Sequence, residues 1–156
     1  MARGEPASPT LVRFYQLAAQ PLESALARIA HKAWDRGWRC CVVAAGQEQA
    51  RRLDDLLWVQ PPGGFLPHRL WDAPEPERQP LLIALEPDDR NGATVLLMAA
   101  GRPPVAPERF DMVVEFADAR DETALEASRQ RFRRYRELGC RLEYWIQGPE
   151  GWVKKD

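Results

Sequence analysis

Apolar residues recur along the chain with two spacings, and the alternation between them predicts the fold class. Leu11-Val-Arg-Phe-Tyr-Gln-Leu17 reads as a strand. Leu22, Leu26, Ile29, Ala33 and Trp34 follow at helical spacing and predict a helix over about 21–36 with one buried face. Pro21 suits its start and Gly37 its end. Arg39-Cys-Cys-Val-Val-Ala-Ala45 is nearly continuous in apolar residues, as in a strand covered on both faces of a parallel sheet. Gly46 turns the chain into a second helix, about 47–58, with Ala50, Leu53 and Leu57 inward. Three more apolar runs, 80–85, 93–98 and 110–116, predict strands; a third helix spans about 121–138, and 140–146 is a final strand. Strands alternating with helices predict a three-layer α/β fold with a largely parallel sheet.

Residues 59–79 fit neither spacing. They are rich in proline and contain Gly63-Gly64, which predicts a loop. Yet they carry Phe65, Leu66, Leu70 and Trp71. Such residues either fold back onto the core or form an exposed aromatic patch that marks a protein interface. Residues 1–9 are expected to be a flexible tail and 10–156 a single domain, because 156 residues suffice for a core without staples.

Composition narrows the function classes. With 45% hydrophobic and 29% charged residues the chain is neither disordered nor fibrous. Twenty-two basic residues against 23 acidic ones leave a net charge of -1, so any electrostatic site must be local. Only Lys32, Lys154 and Lys155 are lysines; the remaining basic residues are arginine, which suits planar recognition of carboxylate or phosphate. Cys40, Cys41 and Cys140 do not make a disulfide framework. No apolar run approaches the roughly 20 residues of a membrane span, and no signal peptide opens the chain. A cytoplasmic protein with no membrane association is expected.

Catalytic and cofactor motifs are missing from the pattern. The turn after the second strand has the single glycine Gly46, whereas a dinucleotide fingerprint needs three. No phosphate-binding Gly-Lys-Ser/Thr loop occurs. His31 reads as a solvated helical residue, and His68 has no partner at metal-ligand spacing. Cys40 and Cys41 point to opposite faces of a strand and cannot share an ion. Asp54-Asp55 and Asp88-Asp89 read as solvated pairs. No catalytic residue, metal or cofactor is expected.

The third helix is less ordinary. Its start is acidic, and its second half holds Arg129, Arg131, Arg133, Arg134 and Arg136. Complementarity with the helix dipole explains the polarity of these charges but not their number. Arg129, Arg133 and Arg136 fall at i, i+4 and i+7 and share a face bordered by Phe132. Arginines beside an aromatic suit a ligand carrying both a carboxylate and an apolar group.

The chain resembles the chi subunit of bacterial DNA polymerase III. The matching stretches are Phe14-Tyr15, Arg52-Leu-Asp-Asp-Leu-Leu-Trp58, Phe65-Leu-Pro-His68, Val113-Val-Glu-Phe116, and Arg131-Phe-Arg-Arg-Tyr-Arg136 with Gly139. The resemblance implies a Rossmann-like domain without nucleotide chemistry. It implies a non-catalytic replication subunit that forms a heterodimer with the psi subunit of the clamp loader and binds the acidic C-terminal tail of single-stranded DNA-binding protein, touching DNA only indirectly. The psi surface would centre on Trp58 and Phe65, with Leu66. The tail site would use Arg129 and Phe132, with Arg133 and Arg136 alongside and Ala117 as a small apolar wall. A lysine found in some relatives falls here at Ala124 or Leu125, and Arg133 or Arg120 is expected to take its place. The alternative is a direct single-stranded nucleic-acid binder using the same arginines.

Overall fold

A computed structural model describes residues 8–60 and 66–155. The expected flexible tail therefore falls mainly outside the described residues, and Phe65 falls outside them altogether. Eight strands form one sheet: β1 (Leu11–Leu17), β2 (Cys40–Val43), β3 (His68–Leu70), β4 (Leu81–Ala84), β5 (Val95–Met98), β6 (Met112–Asp118), β7 (Arg141–Gly148) and β8 (Gly151–Lys155). Their order is β3-β4-β2-β5-β6-β1-β7-β8. Every pairing is parallel except β7 with β8. The helices are α1 (Leu22–Asp35), α2 (Gln47–Val59) and α3 (Glu122–Glu137). The result is the expected three-layer, Rossmann-like α/β architecture.

The central strands β2, β4 and β5 are apolar on both faces because helices or loops cover both. On one face α1 and α2 press Leu26, Ala30, Leu53 and Leu57 against Leu17, Val42, Ile83 and Val114. On the other, α3 lies over Val12, Phe14 and Val113. Cys40 faces the first core and Cys41 the second, as strand alternation requires. Burial pushes both thiols up to about 12, which leaves them unreactive.

Two strands depart from the sequence reading. Within the stretch read as loop, His68–Leu70 adds a three-residue edge strand beside β4. After the strand read as final, Gly151 at φ 124° turns the chain back into β8, a conformation glycine adopts without strain. His31 also differs. Its Nε2 is buried and has no hydrogen-bond partner, so the ring is not simply solvated. Asp54 is not only a surface acid either, because its carboxylate lies 3.2 Å from Nε2 of buried His68. Among the described residues no helix is long and apolar enough to cross a membrane.

Candidate functional site

The arginine ridge of α3 borders a groove. Asp121 caps the helix, its carboxylate accepting from the Thr123 and Ala124 amides at 3.0 and 3.2 Å. Ser128 and Tyr135 are buried against the sheet. Arg131 belongs to the same buried side: its Nε donates to Glu115 of β6 at 3.0 Å, and the Tyr135 hydroxyl donates to the other Glu115 oxygen at 2.6 Å. This three-residue lock fixes the rotation of α3 about its axis. Burial pushes the Glu115 carboxyl up to about 7, against the opposing pull of Arg131 and Tyr135.

A Cβ at Gly101 would stand 2.8 Å from Nη1 and 3.1 Å from Cζ of Arg131. Gly101→Ala is therefore expected to lower stability by roughly 1–3 kcal/mol by displacing the locked guanidinium. Denaturant titration checks this, and an unchanged midpoint would mean that the loop simply moves aside.

With α3 so rotated, Arg129, Phe132, Arg133 and Arg136 face a groove of about 620 Å³ between the helix and the sheet. The residues brought together are those expected from their i, i+4 and i+7 spacing. Phe132 packs on Phe14 at 5.4 Å and meets Tyr144 edge-on at 6.2 Å. Arg136 lies over the Phe132 ring at 5.3 Å. Arg129 and Arg133 share Glu126, an exposed acid of their own helix, at 3.3 and 3.7 Å. Such half-exposed pairs are weak and exchange readily for another carboxylate. Arg134 pairs with Glu137 instead and does not line the groove.

The floor and far wall come from residues the sequence reading did not single out. Tyr144 of β7 donates to Gln16 of β1 at 2.8 Å. Burial pushes its hydroxyl up, and the nearby charge of Arg129 opposes the shift. Lys155 of β8 completes the lining, and Lys154 borders it with its side chain turned to the other face of the hairpin. Glu143 is the acid that reaches the groove, and it is already engaged by Arg13 at 2.9 Å and Lys154 at 3.7 Å. Burial alone would raise its carboxyl, but the Trp145 indole, Arg13 and Lys154 outweigh burial and hold it low.

Two expected members lie elsewhere. Ala117 is 1% exposed and does not wall the groove; Gln16, its partner in the β1–β6 register, does. Arg120 is held by Asp118 at 3.1 Å and does not line the groove.

The second expected surface is at the end of α2. Trp58 is 43% exposed and packs on His68 at 4.1 Å, the two rings tilted by 37°. Leu66, expected beside it on the surface, is only 1% exposed and belongs to the core. His68 is buried, with Nδ1 2.7 Å from the Leu66 carbonyl and Nε2 3.0 Å from the Asp54 carbonyl. It ties the returning chain to α2 directly below Trp58.

The chain is 29% identical over 137 residues to DNA polymerase III subunit chi of Pseudomonas aeruginosa, spanning 86% of this chain and 94% of that one. It is also 29% identical over 123 residues to DNA polymerase III subunit chi of Escherichia coli, spanning 78% and 82%. The family model described as DNA polymerase III chi subunit, HolC, matches residues 10–143. That span runs from the start of β1 to the middle of β7 and includes the whole of α3, so the chain belongs to the DNA polymerase III chi subunit family.

Proposed function

We propose that this chi-family chain is a linker without catalytic work of its own. The groove beside α3 takes the C-terminal tail of single-stranded DNA-binding protein, and the Trp58 surface takes the psi subunit of the clamp loader, forming a heterodimer in the cytoplasm. DNA is reached only through the tail-bearing partner. One observation carries the reading: Arg129, Arg133 and Arg136 line a single groove with the aromatic rings of Phe132 and Tyr144. A guanidinium there can hold a terminal carboxylate bidentately, which contributes roughly 1.5–3 kcal/mol. Burying a terminal phenylalanine ring adds roughly 1.5–3 kcal/mol. After the entropy of association this gives a contact on the order of micromolar, weakened by salt.

Calorimetric titration of a tail peptide with a free terminal carboxylate tests the reading. Arg129→Ala is expected to weaken binding about tenfold, and amidating the terminal carboxylate to weaken it similarly. Equal binding by the free and amidated peptides would reject the tail site. Tight binding to bare single strands with a steep salt slope would favour the nucleic-acid reading instead.

A further inference from the structure

We infer that the β7–β8 hairpin is the second wall of the groove and that Lys155 receives an acidic side chain lying ahead of the bound peptide's C-terminal residue. This rests on reading the groove as a tail site and adds where the acidic segment runs. The family match ends at residue 143, so Tyr144 and both lysines of β8 lie beyond it.

Side chains alternate along a strand, and register decides what each lysine can do. Tyr144 pairs with Lys155 and Ile146 with Val153, so these four share one face of the hairpin. It is the face of α3, because Tyr144 stacks on Phe14, which packs on Phe132. Trp152 and Lys154 fall on the opposite face, where Trp152 meets Tyr15 at 4.8 Å and Lys154 meets Glu143 at 3.7 Å. The two adjacent lysines are therefore not equivalent.

The cations in and beside the groove differ in their partners. Arg129 and Arg133 share Glu126, and Lys154 has Glu143. Arg136 and Lys155 lie over rings, Phe132 at 5.3 Å and Tyr144 at 5.9 Å, and pair with no acid among the described residues. Two cations without acid partners thus flank the aromatic floor. β8 is an edge strand, so the groove is open on its outer side. In a protein of net charge -1 this local excess of positive charge selects an acidic peptide as occupant.

The test uses the full chain at low salt and a synthetic peptide of aspartates spaced by small apolar residues, ending in phenylalanine with a free carboxylate. Lys155→Glu is expected to weaken binding about tenfold, Lys155→Ala about threefold, and Lys154→Glu less than about twofold. Both lysines are exposed, and circular dichroism confirms that the variants fold. With asparagines replacing the aspartates, Lys155→Glu and the unmodified chain should bind alike. If Arg129→Ala weakens binding but Lys155→Glu does not, the tail site stands and the role of Lys155 falls. Equal losses from Lys154→Glu and Lys155→Glu would mean a diffuse field and would also overturn it. No binding by the unmodified chain removes both readings together.

Discussion

Arg131→Met is expected to destabilise the domain by up to roughly 3–5 kcal/mol well above neutral pH, because it leaves the Glu115 carboxylate without its cation in the core. Glu115 is fully buried, and the Arg131 side chain is only 11% exposed. Removing one member of such a pair costs far more than the pair contributes as a whole. The double variant Arg131→Met with Glu115→Gln should therefore recover much of the loss, since no charge then remains to be desolvated. Recovery of nothing would place the damage in lost packing of the arginine stem instead.

The same network sets a pH dependence. Burial raises the Glu115 carboxyl from 4.5 to about 7 in the folded chain. A raised acid binds its proton more tightly folded than unfolded, so its contribution is complete below about pH 4.5 and is lost as pH rises through about 7. Arg131→Met removes the opposing guanidinium and carries the carboxyl higher still. The variant's penalty should thus be small near pH 5, where Glu115 is neutral, larger at pH 8, and still rising above it. Urea titrations at the two pH values measure this, and a penalty independent of pH would show that Glu115 does not titrate in the folded state. Since the lock also orients α3, loss of tail binding in the folded variant is expected to accompany the loss of stability.

Helical spacing made the arginine ridge legible: residues at i, i+4 and i+7 share a face wherever the helix packs. It did not reveal that Arg131 turns inward, because its partner Glu115 sits in an apolar strand run that reads as pure core. The α/β order was legible from alternating periods, whereas β3 is three residues long and surrounded by turn formers. β8 follows Gly148-Pro-Glu-Gly151, a turn signal after which only a short, lysine-bearing segment remains. With β8 unseen, the register that sets Lys155 beside Tyr144 was out of reach, and half of the groove's wall with it. Leu66 and Ala117 show the converse limit. Resemblance assigns a residue to a surface, but only packing tells whether its side chain reaches that surface.

Trp58→Ala is expected to weaken psi binding by roughly 2–4 kcal/mol, enough to abolish the complex at ordinary concentrations, while lowering stability by only about 1 kcal/mol. The asymmetry follows from its setting. Trp58 is 43% exposed, well short of a core side chain, so folding leaves a large part of its ring for a partner to bury. The ring beneath it is well anchored, since His68 contacts the Leu66 and Asp54 carbonyls and is 1% exposed. Analytical size exclusion with psi, alongside thermal unfolding, separates the two effects. A large stability loss with binding intact would make Trp58 a cover for His68 rather than an anchor. Placement adds a further constraint. The core beneath α2 and the core beneath α3 lie on opposite faces of one sheet, so the psi surface and the tail groove share no side chain. Trp58→Ala should leave tail-peptide affinity unchanged, and Arg129→Ala should leave psi affinity unchanged. Coupling between the two would require a two-state element in the sheet, whereas the proposed linking role requires that one chain hold both partners at once.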